Sequence, residues 1–111
     1  MTPKFFLLYF FKGIAERISV KVKVEVYGFL RNLTGWSNVE VGLAEDSTLG
    51  QLLELLTDEK PELKELIFEG DNLKDYLKVL VDGRDCRFLG GLRTRLKDGS
   101  TISIFPPAGG G

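Results

Sequence analysis

Thr101-Ile102-Ser103-Ile104-Phe105-Pro106-Pro107-Ala108-Gly109-Gly110-Gly111 closes the chain. In its first half Ile102 and Ile104 fall on one side of an extended backbone and Thr101, Ser103 and Phe105 on the other, the period-two signature of a half-buried strand. Pro106 and Pro107 lack the N–H a ladder needs, so they release the chain from the sheet. The last three residues carry no side chains, admit almost any backbone angle and let other backbone approach closely. Extended, the six residues past Phe105 reach roughly 20 Å, a cord thin enough to enter a narrow channel.

Working back from that strand, Lys97-Asp98-Gly99-Ser100 reads as a turn, and Leu89-Gly90-Gly91-Leu92 as a tight irregular connection. Leu77, Val79 and Val81 alternate before Asp82-Gly83, a strong hairpin signal, with Arg84 to Phe88 as the returning strand. Thr48 and Gln51 form a capping-box pair, and Leu49, Leu52, Leu53 and Leu56 recur at i, i+3, i+4 and i+7, predicting a helix that lays one apolar face on a sheet. Pro61 suits the first position of a second, shorter helix that buries Leu63, Leu66 and Ile67 and stops at Gly70. Val20, Val22, Val24 and Val26 alternate with Lys21, Lys23, Glu25 and Tyr27, giving the first regular strand. A turn with a short helical piece at Leu30 to Gly35 leads to a second strand through Val39, Val41 and Leu43.

At 111 residues the chain supports one domain. Fifteen Lys and Arg against 16 Asp and Glu give no basic excess for nucleic acid or an anionic membrane, and neither is expected as a partner. There is no histidine, which removes the usual general base, nucleophile activator and metal ligand. Cys86 is the single cysteine: it can form no internal disulfide, is too solitary for a zinc site, and fits a cytoplasmic chain in a structural role. Phe5 to Phe11 is the most apolar run, too short to span a bilayer and interrupted by Lys12. It reads as an extra strand or short helix packed on the domain or on a second copy, or as an extension upstream of a start near Val20. The expected division is an apolar extension at 1–19, a domain at 20–105 and a tail at 106–111.

The order of hairpin, helix and further strands ending in a glycine tail is that of the ubiquitin-like β-grasp fold. Tyr27-Gly28-Phe29-Leu30-Arg31-Asn32-Leu33-Thr34-Gly35, Val81-Asp82-Gly83-Arg84, Phe88-Leu89-Gly90-Gly91-Leu92, Leu96-Lys97-Asp98-Gly99 and the Phe-Pro-Pro tail resemble the MoaD/ThiS family, MoaD-type members in particular. The resemblance implies an α+β fold, a mixed sheet of four to five strands on one main helix. It implies further that Gly111 is adenylated and converted to a thiocarboxylate that donates sulfur, as in the small subunit of molybdopterin synthase. Gly110 and Gly109 would thread the partner's channel, and Phe105, Tyr27, Phe88 and Arg31 would face the partner. The partners implied are a MoaE-like large synthase subunit and a MoeB-like adenylating enzyme that uses ATP; the chain itself would bind no cofactor. The alternative is an archaeal-type protein modifier, or a carrier for tRNA thiolation. Ala108-Gly109 departs from the bulkier residues usual there, and the family offers no guidance on residues 1–19.

Overall fold

The computed structural model describes residues 7–9 and 19–107. Strand β1 (Leu7–Tyr9) comes from the N-terminal extension, and β2 (Val20–Val26) follows with its valines buried and its lysines exposed. Gly28 opens α1 (Phe29–Thr34), which Gly35 ends in the left-handed conformation at φ 81°. β3 (Asn38–Leu43) returns antiparallel to β2, pairing Val24 with Val39 and Val20 with Leu43. The two strands are the expected hairpin, widened by α1.

Helix α2 (Leu49–Glu59) starts where the capping box places it: the Thr48 side chain accepts from the Gln51 N–H at 3.2 Å, and the Gln51 side chain accepts from the Thr48 N–H at 2.9 Å. Leu49, Leu52, Leu53 and Leu56 are all fully buried. The second helical segment is tighter than expected. Pro61–Leu63 is a 3-10 turn that runs into α3 (Lys64–Ile67), burying Leu63 and Ile67 and leaving Leu66 partly covered. It ends before Gly70, because Gly70 at φ 63° instead forms the turn of a small hairpin of β4 (Phe68–Glu69) and β5 (Asn72–Leu73) that the sequence reading lacked.

β6 (Lys78–Val81) turns through Asp82 at φ 51° and Gly83 at φ 85° into β7 (Arg84–Asp85). The returning strand was expected to run to Phe88, but it stops after two residues. Asp85 accepts from the Arg87 N–H at 2.9 Å and caps a 3-10 turn over Cys86–Phe88, a local bond that displaces the ladder. A further 3-10 turn, Gly91–Arg93, precedes β8 (Thr101–Phe105).

Among the described residues the main sheet has six strands in the order β1-β3-β2-β8-β6-β7, rather than four to five. The difference lies at the edges. β1 pairs parallel with β3, and the two-residue β7 closes the other side. At the centre the first long strand and the last lie parallel, Val24 beside Ile102 and Val26 beside Ile104, with antiparallel neighbours outside them. This is the β-grasp arrangement. Its core is one cluster in which the inward valines, Ile102 and Ile104 meet the leucine face of α2, while Lys21, Lys23, Glu25, Thr101 and Ser103 on the opposite face are polar and exposed or half-buried. Because β8 is central, the strand that feeds the tail is held on both sides.

Candidate functional site at the root of the tail

The parallel pairing of β2 and β8 determines what surrounds the tail. Glu25 and Tyr27 alternate with the buried valines and fall on the face of the sheet away from α2, as do Ser103 and Phe105. One position beyond the Val26–Ile104 pair, the Tyr27 N–H donates to the Ile104 carbonyl at 3.1 Å. The rings of Tyr27 and Phe105 are thereby set side by side, stacked with centroids 4.4 Å apart and planes 5° from parallel. Both residues are half-buried, so the pair presents an aromatic surface as well as filling space. A stack of this kind contributes about 0.5–1.5 kcal/mol beyond its buried area.

Arg31 joins them from α1. Its Nε donates to the Val26 carbonyl at 2.8 Å, and its guanidinium carbon lies 5.2 Å from the Tyr27 ring centroid, within cation–π range. On the other side of the tyrosine, the hydroxyl donates to Glu25 Oε1 at 2.8 Å. That carboxylate also accepts from the Ser103 hydroxyl at 3.4 Å and has Lys23 Nζ 3.8 Å from Oε2. The hydrogen bond to Glu25 pushes the Tyr27 phenol up from its ordinary value, with burial and the Glu25 charge adding to it and Arg31 opposing. Pro106, the first tail residue, lies against Gly28, and both Pro106 and Pro107 are half-buried.

Of the residues expected at the partner surface, Tyr27, Phe105 and Arg31 are thus brought together. Phe88 is not part of this cluster. It sits on the turn after β7, two strands removed from β8, and is 83% exposed. Cys86 takes the buried position of that turn instead. Gly109, Gly110 and Gly111 lie outside the described residues. Sequence reasoning missed Glu25, Gly28 and Pro106 as members of this cluster, because they meet only through the pairing of β2 with β8.

Cys86 is fully buried, and that burial raises its thiol pKa above the ordinary value, aided by Asp85 and opposed by Arg87. Arg87 is engaged elsewhere, its guanidinium donating to the Leu77 and Lys74 carbonyls at 2.9 and 2.7 Å. A buried, protonated thiol is a poor nucleophile. Alkylation of Cys86 in the native chain is expected to be at least about a hundredfold slower than in denaturant, since it must await opening. Because the folded-state pKa is raised, the thiol's contribution to stability is fully present below its unfolded value, about 8.5, and is lost as pH rises through the folded value. Cys86→Ala should therefore flatten the alkaline limb of the stability profile. Unchanged alkaline dependence would remove Cys86 as its source.

The described residues thus hold an aromatic and cationic cluster at the root of the tail, with no group of three or more His, Cys, Asp or Glu placed to hold a metal ion. A central strand that passes an aromatic cluster and leads into a glycine-ended sequence, in a β-grasp sheet, defines a ubiquitin-like protein. The sequence profile of the ThiS family matches residues 24–111, and the chain belongs to that family of ubiquitin-like sulfur carriers. Small archaeal modifier protein 3 of Haloferax volcanii is 29% identical over 92 residues, covering 83% of this chain and all of that one. The solution structure of small archaeal modifier protein 1 from Methanosarcina acetivorans is 35% identical, with a TM-score of 0.72 over 83% of this chain and 97% of that one. A Pyrococcus furiosus structure described as a candidate molybdopterin converting factor, subunit 1, is 29% identical, with a TM-score of 0.68 over 81% of this chain and 100% of that one.

Proposed function

We propose that this chain carries sulfur on the carboxylate of Gly111 and donates it for molybdopterin synthesis as the small subunit of a molybdopterin synthase. In the first step a carboxylate oxygen bonds to the α-phosphorus of ATP on a MoeB-like adenylating enzyme, and pyrophosphate leaves. The acyl carbon then exchanges its bond to AMP for a bond to the outer sulfur of a persulfide donor, and a second donor thiol attacks the inner sulfur of that acyl disulfide, releasing the thiocarboxylate and leaving a disulfide on the donor. Adenylation is needed because a carboxylate is a poor electrophile without a leaving group. A MoaE-like large subunit would bind the pterin precursor and supply the acid–base groups that a histidine-free chain lacks. ATP is used by the activating partner, and the carrier holds no cofactor.

The observation that carries this reading is the clamp of Tyr27, Arg31 and Phe105 at the root of a Pro-Pro-Ala-Gly-Gly-Gly tail. It gives a partner something to grip six residues before the reactive terminus. The likeness to the Pyrococcus furiosus protein supports the molybdopterin acceptor. A second reading, in which the activated Gly111 is joined to lysines of other proteins, is favoured by the likeness to two small archaeal modifier proteins.

The two readings separate in one experiment. The chain is charged with ATP, an adenylating enzyme and a sulfur donor, then mixed with a molybdopterin-synthase large subunit and the pterin precursor. The first reading expects sulfur to leave the carrier and appear in the pterin. Retention of sulfur there, with Gly111-dependent conjugates of higher mass in cells, would transfer the assignment to the modifier.

A further inference from the structure

Across the β2–β8 seam the dipeptide Tyr27-Gly28 faces the dipeptide Phe105-Pro106. At the first position ring meets ring; at the second, the proline ring lies where a side chain would otherwise be. Gly28 has φ 63° and ψ −148°, a conformation essentially reserved for glycine, and a Cβ built on it would lie 2.7 Å from Pro106 Cγ and 3.2 Å from Pro106 Cδ. Gly35, Gly70, Gly83, Gly91 and Gly99 also have positive φ, yet each has open space where its Cβ would stand. Those five need glycine for backbone angle alone. Gly28 needs it for the angle and for the neighbour.

Pro106 has its own φ fixed by its ring. Once that ring is seated on Gly28, with Phe105 stacked on Tyr27 and the Tyr27 N–H bonded to Ile104, few free torsions remain between the sheet and Pro107. We propose that Gly28 is a positioning residue: by leaving out a side chain it forms the seat for Pro106, and the seat sets the direction in which the tail leaves the sheet toward the activating enzyme. The inference rests on the reading of Gly111 as the charged residue. It adds an aiming device contributed by the opposite end of the domain sequence.

The test uses the full chain in two arms. Without any partner, proton NMR of the wild-type protein should show through-space contacts between the Gly28 α-protons and the Pro106 ring; their absence overturns the seat whatever the function. With an adenylating enzyme, carrier-dependent ATP–pyrophosphate exchange is measured for Pro106→Gly, Gly28→Ala and the double variant. Each single change should raise the KM for the carrier about tenfold, roughly the entropic cost of ordering one residue, with kcat within about twofold. The double variant should be no worse than the worse single one, because both remove the same contact. An unchanged KM in Pro106→Gly, or losses that multiply to about a hundredfold in the double, would overturn the proposal. Pro106→Gly carries the test even where the strained Gly28→Ala lowers stability. A chain lacking Gly111 that is still charged would count against the proposed function, and the NMR arm would still decide the seat.

Discussion

Deletion of Gly111 is expected to abolish thiocarboxylate formation while leaving the thermal transition of the domain where it was. Among the described residues the core lies within 20–104, and the strand that feeds the tail ends at Phe105, so the last residue is six positions beyond it. What it removes is reach. The chemistry needs reacting atoms within about 3–3.5 Å, and a carboxylate displaced by one residue, roughly 3.5 Å of extended chain, cannot meet the α-phosphorus of ATP. Gly111→Ala tests the proposed channel instead of the reach: the length is kept and one methyl group is added, which a passage shaped for glycine would exclude. Mass spectrometry of the charged chain and a parallel melting curve read both effects. Normal sulfur loading in the deleted chain would remove Gly111 from the mechanism.

Ile104→Ala has the opposite profile, a large loss of stability with charging intact below the transition. Ile104 is 2% exposed, sits between Val26 on β2 and Val79 on β6, and belongs to the cluster that packs under α2. Truncation at such a site costs about 2–5 kcal/mol, the lost transfer energy plus the cavity left behind. For a domain of this size 3 kcal/mol lowers the melting temperature on the order of 15 °C. The tail's exit from β8 depends on backbone pairing that the alanine retains, so the variant assayed well below its transition should be adenylated at nearly the wild-type rate. A shift of less than a few degrees would show that the sheet–helix interface is not where the stability resides.

These two variants divide the molecule as its sequence does. The strand and helix carrying the core were legible because their signals are local and repeated: four valines at period two, four leucines at helical spacing, a capping box, a Phe-Pro-Pro stop. The Asp82-Gly83 hairpin was legible for the same reason, its two positive φ angles being what that dipeptide favours. The chain beyond the hairpin was not, because the Asp85 side chain forms a local bond that competes with the ladder over a stretch too short to show a period. Phe88, expected like Tyr27 to face a partner, is exposed but apart from the Tyr27 cluster, and Cys86 shows why it points outward: the turn has one inward position, and the smaller residue fills it.

The candidate site was legible in its residue types and only partly in its assembly. Aromatic residues flanking a tail suggest a docking surface. Which of them meet depends on β2 and β8 running parallel, a pairing between the two ends of the domain. Gly28 was hidden for the same reason, since nothing near it in sequence indicates that a proline ring will occupy the space beside it. The extension contributes β1 on the edge of β3.

The central claim is that the domain exists to present one reactive carboxylate. The most direct test is the intact mass of the full chain after incubation with ATP, an adenylating enzyme and a persulfide donor, followed by fragmentation to locate any change. The prediction is a gain equal to one oxygen-for-sulfur exchange, confined to the C-terminal fragment that contains Gly111 and absent when ATP is omitted. An unchanged mass under conditions that charge a known carrier of the family, or a sulfur found on Cys86 in place of the terminus, would contradict it.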